Sequence, residues 1–450
     1  METKKKGFPV AFWVCACSEI FERLAYYLGR SLILIFVTAS VATGGLGLSD
    51  TVAANMQSNL TAFSYLLPLF GAVIVDKYIG ARYTTPVGMF IAAAGYFTGG
   101  IAKSAIGVYV MIFLVSLGLA LFKNGAIIGR VITDKSQMDP AFSMRYTLVN
   151  VGAFIGTFLV GILYKDVFAK DGVLGFAPCF KMAALMMVLG GLWYIFVCWR
   201  FLGDLGKLPF KKTLTEEEKA AEAKKKEETG TKQPLTTIEK KRIGAIFVAS
   251  LFSIVFWIFW YLGYMPVYFY WAENMDWVVA GYQVPSTWFD AANSLFCVIL
   301  GPVTAALWKK LAARPQGDMS LFRKTGLGIA IIGVGYLFYA AIDIMRGGEK
   351  ASVLWLIVFA FLLTMGEMFF SPLGHSFISK YSPSRYLAVM MSVWGFATFI
   401  AAKSYGPVYG LLFGGKIEFK VACIGVAVVS FAAALIMIAL DKKLSALVDK

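Results

Sequence analysis

Four charged side chains interrupt the first long apolar segment of the chain. They are Glu19, Glu22, Arg23 and Arg30. Steps of three, four, seven and eight residues place them on one face of a helix, in a stripe roughly 16 Å long at the helical rise. A charged side chain at the middle of a bilayer costs at least ~2.5–3.5 kcal/mol on insertion scales. We therefore expect this face to line a polar interior rather than face lipid.

A purely structural ion-pair network is the alternative interpretation of this stripe. Buried ion pairs stabilise a fold less than apolar packing of similar volume. Stability alone therefore accounts poorly for four charges on one helix. Tyr26 and Tyr27 lie in the same stretch and add two hydroxyl groups to it.

Polar residues inside apolar segments occur in both halves of the sequence. Lys123 lies in the fourth segment and Glu367 in the tenth, while Asp290 and Asn293 lie one helical turn apart near the start of the eighth. Separated positive and negative poles suit a zwitterion. Arg23 and Lys123 would hold a carboxylate, and Glu367 would hold an ammonium group.

The composition identifies lipid as the solvent for much of this chain. Of its 450 residues, 59% are hydrophobic and 15% are charged, against roughly a quarter charged in soluble domains. About twelve segments have the length and hydropathy of a membrane span. This pattern predicts an all-α membrane protein with about twelve transmembrane helices. The predicted segments are 10–40, 52–75, 84–101, 105–132, 143–165, 176–200, 243–270, 286–309, 321–344, 352–380, 386–413 and 419–440.

A hydrophilic stretch between the sixth and seventh segments divides the chain into two groups of six. We expect an N-terminal six-helix bundle over 1–202, a cytoplasmic charged linker over 203–242 and a C-terminal six-helix bundle over 243–450. The connections rich in Lys and Arg should face the cytoplasm, which places both termini there and the protein in the cell (inner) membrane. Two such halves suggest a carrier whose halves rock about a central binding site.

Several other classes of function are disfavoured by the sequence. The net charge of +15 is carried mainly by short connections and tails, and no nucleic-acid-binding module is visible. One His and scattered Cys residues give no metal-site spacing. The glycines at 44, 45 and 47 do not form a phosphate loop. We expect no catalytic residue, no metal and no cofactor.

The first segment carries a recognisable motif, ExxER followed by paired tyrosines, from Glu19 to Tyr27. It resembles the signature of the proton-dependent oligopeptide transporter (POT/PTR) family of the major facilitator superfamily. Further similar stretches follow in chain order over residues ~10–415. They are Tyr65 to Pro68, Gly71 to Arg82, Phe142 to Ala153, Asn293 with Pro302 and Trp308, Gly366 and Glu367 with Ser371 and Pro372, and Met390 to Trp394.

The resemblance implies a secondary symporter that imports di- and tripeptides with protons, built as two six-helix bundles. Residues implied or proposed for proton coupling are Glu19, Glu22, Arg23, Glu367 and Asp290. Those assigned to substrate binding are Arg23, Tyr26, Tyr27, Arg30, Tyr65, Lys123, Asn150, Asn293, Glu367, Ser371 and Trp394. Asp76 and Arg82 would form a gate network on the cytoplasmic side. Protons would be the coupling ion, and the expected partners are a small peptide and membrane lipids around a functional monomer, without nucleic acid.

Three departures from the family pattern bear on the proton path. The seventh segment contains no acid between Phe256 and Tyr264, Asn124 and Gly125 follow Lys123 in place of Pro-Asn, and Lys403 replaces an uncharged polar residue. Our hypothesis is that Asp290 takes over part of the missing acid's role.

Two other functions remain open at this point. A carrier of the same fold could move nitrate, an amino acid or another anion, although relatives of that kind commonly depart from ExxER. A membrane-embedded enzyme is the remote alternative, and it would need a nucleophile, base or metal set at a membrane face.

Overall fold

The protein is almost entirely helical, as the hydropathy pattern predicts. A computed structural model describes residues 7–132, 137–209, 235–315, 317, 319–383 and 386–448. Its helices are α1 (Val10–Thr38), α2 (Asp50–Lys77), α3 (Ala81–Ile101), α4 (Ala105–Leu121), α5 (Asn124–Val131), α6 (Met138–Ile162), α7 (Phe176–Arg200), α8 (Thr237–Leu262), α9 (Met265–Tyr268), α10 (Tyr270–Asn274), α11 (Trp288–Ala312), α12 (Leu321–Met345), α13 (Trp355–Tyr381), α14 (Leu387–Phe413) and α15 (Phe419–Val448).

Each of the twelve predicted segments is occupied by helix, which confirms the all-α prediction. Two of them are broken. The fourth divides into α4 and α5 at Phe122 and Lys123, and the seventh continues past α8 as the short α9 and α10. Eight helical segments of the described chain are long and apolar enough to cross a membrane. Helix α1 is long enough as well, but its four charges interrupt the apolar run.

Helix α8 begins with a capping box. The Thr236 hydroxyl accepts from the backbone N–H of Glu239, and the Glu239 carboxylate accepts from the backbone N–H of Thr236. This arrangement satisfies two N–H groups that a helix start leaves without partners. The capping box therefore sets the position at which α8, the first helix of the second group, begins.

The chain forms two compact units, and α2 contributes to both. The first unit comprises Met1–Leu48 and Leu66–Leu214, and the second comprises Ser49–Tyr65 and Thr215–Lys450. In the first unit, α3 packs on α4 and α7, while α1 packs on α6 and α7. In the second, α12 packs on α13 and α15, and α14 packs on α8.

Small residues set the approach of α3 to α4 in the first unit. A Cβ atom built on Gly88 would lie 2.4 Å from the carbonyl oxygen of Gly118, and one built on Gly118 would lie 2.4 Å from that of Gly88. Small residues let helices in a membrane approach closely enough for backbone packing. These two glycines therefore allow a contact that any side chain would prevent.

The second unit includes the first half of α2, which packs on α14. The Ser58 hydroxyl donates to the carbonyl oxygen of Ala402 at 2.7 Å, and Lys403 donates to the side chain of Asn59. Two short strand pairs complete this unit: Met275–Asp276 pairs in parallel with Ala351–Ser352, and Val278–Val279 forms a hairpin with Tyr282–Gln283.

We expect Gly118→Ala to destabilise the protein, by about 1–3 kcal/mol in the range of overpacked cores. The matched control is Gly425→Ala in α15, since a Cβ there meets no atom within 4 Å. Alanine also favours helix over glycine, so this control should retain or gain stability. Thermal unfolding of both purified variants in detergent measures the difference, and equal midpoints would contradict the packing argument.

Candidate functional site

Glycines on α6 bring that helix against the charged stretch of α1. A Cβ on Gly152 would lie 3.0 Å from the Cβ of Arg23, and one on Gly156 would lie 2.5 Å from the carbonyl oxygen of Leu24. Because α6 lies so close, the side chain of its Arg145 reaches the Glu19 carboxylate of α1. Glu19 is 2% exposed and Glu22 is 0% exposed, so both must find partners inside the unit.

Glu22 is paired with its sequence neighbour. Arg23 donates from Nε and Nη2 to the two carboxylate oxygens of Glu22, which is the bidentate geometry that guanidinium groups form with carboxylates. The Arg23 guanidinium carbon also lies 4.8 Å from the ring centroid of Tyr26. Two of the three guanidinium nitrogens of Arg23 therefore donate to a side chain of α1 itself.

Glu19 is paired with two residues that the sequence analysis did not select. Arg145 of α6 donates from Nε to Glu19 Oε1 at 2.9 Å, and Asn124 of α5 donates to the same oxygen at 3.1 Å. Asn124 also donates to the carbonyl oxygen of Cys15 at 2.8 Å. We call Glu19, Glu22, Arg23, Asn124 and Arg145 the α1 cluster.

A sequence signal for Arg145 was present but weak. It stands two residues inside the fifth predicted segment, where a charge requires a partner or a function. Glu19 lies 126 positions away in the sequence, so spacing could not identify that partner. Asn124 was noted only as a departure from the family pattern.

Lys123 lies at the break between α4 and α5. Its backbone N–H donates to the Thr85 hydroxyl at 3.2 Å, and its Nζ donates to the carbonyl oxygen of Pro68 at 2.9 Å. The break thus directs this side chain toward α2. Further along α1, the Arg30 guanidinium lies 5.9 Å from the ring centroid of Tyr27, and this ring packs edge-on against Tyr26 at 5.3 Å.

A second cluster surrounds Glu367 in the second unit. Asn293 donates to Glu367 Oε2 at 3.3 Å and to the Thr364 hydroxyl at 2.8 Å, and the Cys297 thiol lies 3.7 Å from the same Glu367 oxygen. Glu367 is 8% exposed. The donors that these contacts give to the carboxylate are neutral, which suits an acid that takes up a proton or an ammonium group. We call these four residues the Glu367 cluster.

Asp290 occupies a separate buried position on α11. It is 7% exposed and accepts the phenolic hydrogen of Tyr268. Asn293, one turn further on, is turned to Glu367 instead. The two residues therefore contact different side chains despite their spacing.

The other predicted binding residues have partners inside their own unit. Tyr65 accepts from the hydroxyl of Tyr261 at 3.2 Å, and Trp394 stacks on Phe370 with ring centroids 5.9 Å apart. Asn150 donates back to a carbonyl oxygen of its own helix, at 3.0 Å. The side chain of Ser371 lies outside the described residues.

Of the predicted gate pair, the structure describes the side chain of Arg82 and not that of Asp76. Arg82 donates from its guanidinium to the carbonyl oxygen of Gly203, and its backbone N–H donates to the carbonyl oxygen of Gly206 at 3.1 Å. Arg82 thus ties the start of α3 to the segment that follows α7. Within the described residues, no group of His, Cys, Asp and Glu side chains has the arrangement of a metal site.

Comparisons with known proteins agree with this architecture. The POT family model matches residues 204–413. The chain is 25% identical to the uncharacterised transporter YclF of Bacillus subtilis, over 88% of this chain and 87% of that protein. It is 24% identical to the peptide transporter YePEPT of Yersinia enterocolitica, over 92% and 88%. A crystal structure of a POT peptide transporter in complex with sulfate superposes with a TM-score of 0.86 at 23% identity, covering 100% of this chain and 98% of that one.

A cycle of substitutions tests the pairing of Glu19 with Arg145. Arg145→Met leaves a buried carboxylate without its cation, so we expect a loss of about 3–5 kcal/mol in stability, the cost of leaving a buried charge without its partner. Glu19→Gln combined with Arg145→Met should restore part of that loss, because no unpaired charge remains. Detergent unfolding midpoints of the single and double variants measure the coupling, and strictly additive losses would refute the pair.

Proposed function

We propose that the chain is a member of the POT family of transporters and a proton-driven symporter that imports di- and tripeptides by alternating access. The observation that carries this proposal is the α1 cluster. Two carboxylates and two guanidinium groups are paired within the apolar helices of one unit. Such an arrangement suits a transporter in which carboxylates are protonated and guanidinium groups change partners in every transport cycle.

Proton coupling follows from the pairing of Glu22 with Arg23. A proton on Glu22 would cancel the charge that holds the guanidinium, and Arg23 would then be available to a peptide carboxylate. Loss of that proton would restore the pair and weaken the hold on the peptide. The membrane potential contributes about 2.3 kcal/mol per charge per 100 mV to such a cycle.

The two ends of the peptide would be recognised by opposite charges. Arg23 and Lys123 supply cations for the carboxylate, and Glu367 supplies an anion for the ammonium group. The neutral donors around Glu367 support this assignment, since they orient the carboxylate without cancelling its charge. The proposed pocket is completed by Tyr26, Tyr27, Arg30, Tyr65, Asn150, Asn293, Ser371 and Trp394.

The remaining parts of the proposal concern the setting of the protein. Protons serve as the coupling ion and no cofactor is required. Asp76 and Arg82 act as a gate pair, and the bond from Arg82 to Gly203 supports a conformational role. The protein works as a monomer in the cell (inner) membrane, surrounded by lipid and with both termini in the cytoplasm.

Uptake of a labelled dipeptide into proteoliposomes tests this function. We expect an inward proton gradient to drive accumulation, and Glu22→Gln to lose that dependence while peptide exchange without a gradient continues. Glu418→Gln is the matched control, because this carboxylate is 70% exposed in its pair with Lys420. Equal uptake with and without the gradient, or competition by nitrate but not by peptides, would overturn the proposal.

Asp290 is a further candidate for the proton path. If it takes over the role of an acid missing from α8, Asp290→Asn should flatten the pH dependence of peptide uptake, and Tyr268→Phe should shift it by removing the donor to Asp290. Asp276→Asn is the control, since the side chain of this acid is exposed at the end of the strand Met275–Asp276. A pH profile in Asp290→Asn that matches the unmodified protein would exclude this role.

A further inference from the structure

Arg145 uses only part of its guanidinium group to hold Glu19. Its Nε donates to Glu19, while no hydrogen bond within the described residues reaches Nη1 or Nη2. Its side chain is 31% exposed, against 2% for that of Glu19. Arg23 differs, because it commits both Nε and Nη2 to Glu22. Of these two arginines of the α1 cluster, Arg145 therefore has the larger unused donor capacity.

The neighbouring backbone is shaped to position that guanidinium. A Cβ built on Gly125 would lie 3.1 Å from Cζ, 3.2 Å from Nη2 and 3.4 Å from Nη1 of Arg145. Three nearly equal distances mean that the planar group rests against the bare Cα of Gly125. The preceding residue, Asn124, orients the Glu19 carboxylate that receives Nε. The pair Asn124 and Gly125 thus fixes both partners of the ion pair.

We propose that Arg145 is a further substrate-binding residue, which holds Glu19 through Nε and presents Nη1 and Nη2 to the carboxylate of the transported peptide. This inference rests on the proposed function and adds Arg145 to Arg23 and Lys123 as a residue that recognises the C-terminal carboxylate of the substrate. A guanidinium with two parallel N–H donors matches a carboxylate, whereas an ammonium group acts as a point charge. The Glu19 carboxylate competes with the substrate for the same group, so its neutralisation strengthens substrate binding.

Discrimination between a peptide and its C-terminal amide tests this role. Dialanine and dialanine amide compete with labelled dipeptide for proton-driven uptake into proteoliposomes. We expect the unmodified protein to prefer the free acid, and Arg145→Gln to reduce that preference roughly tenfold to a hundredfold, the range of a hydrogen bond to a charged group. Arg145→Lys should reduce it less, and Gly125→Ala should shift it in the same direction by displacing the guanidinium.

Arg200→Gln is the matched control. This arginine ends α7 in an exposed position, with its guanidinium 5.5 Å from the ring centroid of Phe201. The variant removes the same charge from the same unit, and the acid-to-amide ratio should stay unchanged. A fall in the ratio equal to that of Arg145→Gln would overturn the proposal, because any lost charge would then suffice.

If Arg145→Gln does not transport, ligand binding to the purified protein in detergent is measured instead. The shift of the thermal unfolding midpoint with dialanine, compared with that for the amide, reports binding without transport. Glu19→Gln should enlarge the shift for the acid, and Arg145→Lys should lose more of the acid shift than of the amide shift. Equal losses for both ligands, or an unchanged acid preference in Arg145→Gln, overturn the proposal. Absence of gradient-driven uptake in the unmodified protein refutes the proposed function instead.

Discussion

The burial of two carboxylates on α1 is the constraint on which the first unit depends. Glu19 and Glu22 are almost completely removed from solvent, and a buried charge is tolerated only when it is paired and hydrogen-bonded. One pair is local, between Glu22 and Arg23, and the other joins α1 to α6. The unit can satisfy the second pair only because glycines allow α6 to approach α1 closely. The ion pair between α1 and α6 therefore depends on the close packing of the two helices.

Glu367 of the second unit has different partners from the two buried acids of α1. In the first unit, guanidinium groups compensate the charge of the carboxylates, so an ion pair must break before either partner can bind another ion. In the second unit, Glu367 is held by an amide and contacted by a thiol. A carboxylate in neutral surroundings gains more from an incoming cation or proton than one that is already paired. This contrast supports the proposal that α1 carries the coupling steps and that Glu367 recognises the ammonium group.

The break between α4 and α5 concentrates several polar groups at one place. It directs Lys123 to the carbonyl oxygen of Pro68, and it places Asn124 at the start of a helix where its side chain reaches Glu19. Gly125 then leaves room for the Arg145 guanidinium. Asn124 and Gly125 stand where the family pattern has Pro-Asn, and the Arg145 guanidinium occupies the space that a side chain at position 125 would fill.

Hydropathy predicted the twelve helical segments and their approximate ends, because each crossing of a membrane requires about 20 apolar residues whatever the rest of the fold does. Hydropathy also singled out the four charges of α1, because they interrupt an apolar segment. Their common face could be predicted because all four lie on one helix, whose periodicity fixes their spacing. The break at Lys123 was not predicted, because the apolar residues on both sides of Lys123, Asn124 and Gly125 together have the length of a single membrane span. The partners of Glu19 were also hidden, since Arg145 and Asn124 are more than a hundred residues away in sequence. Only the tertiary packing of α1, α5 and α6 decided which cation Glu19 receives, because that choice depends on how closely glycines let the helices approach.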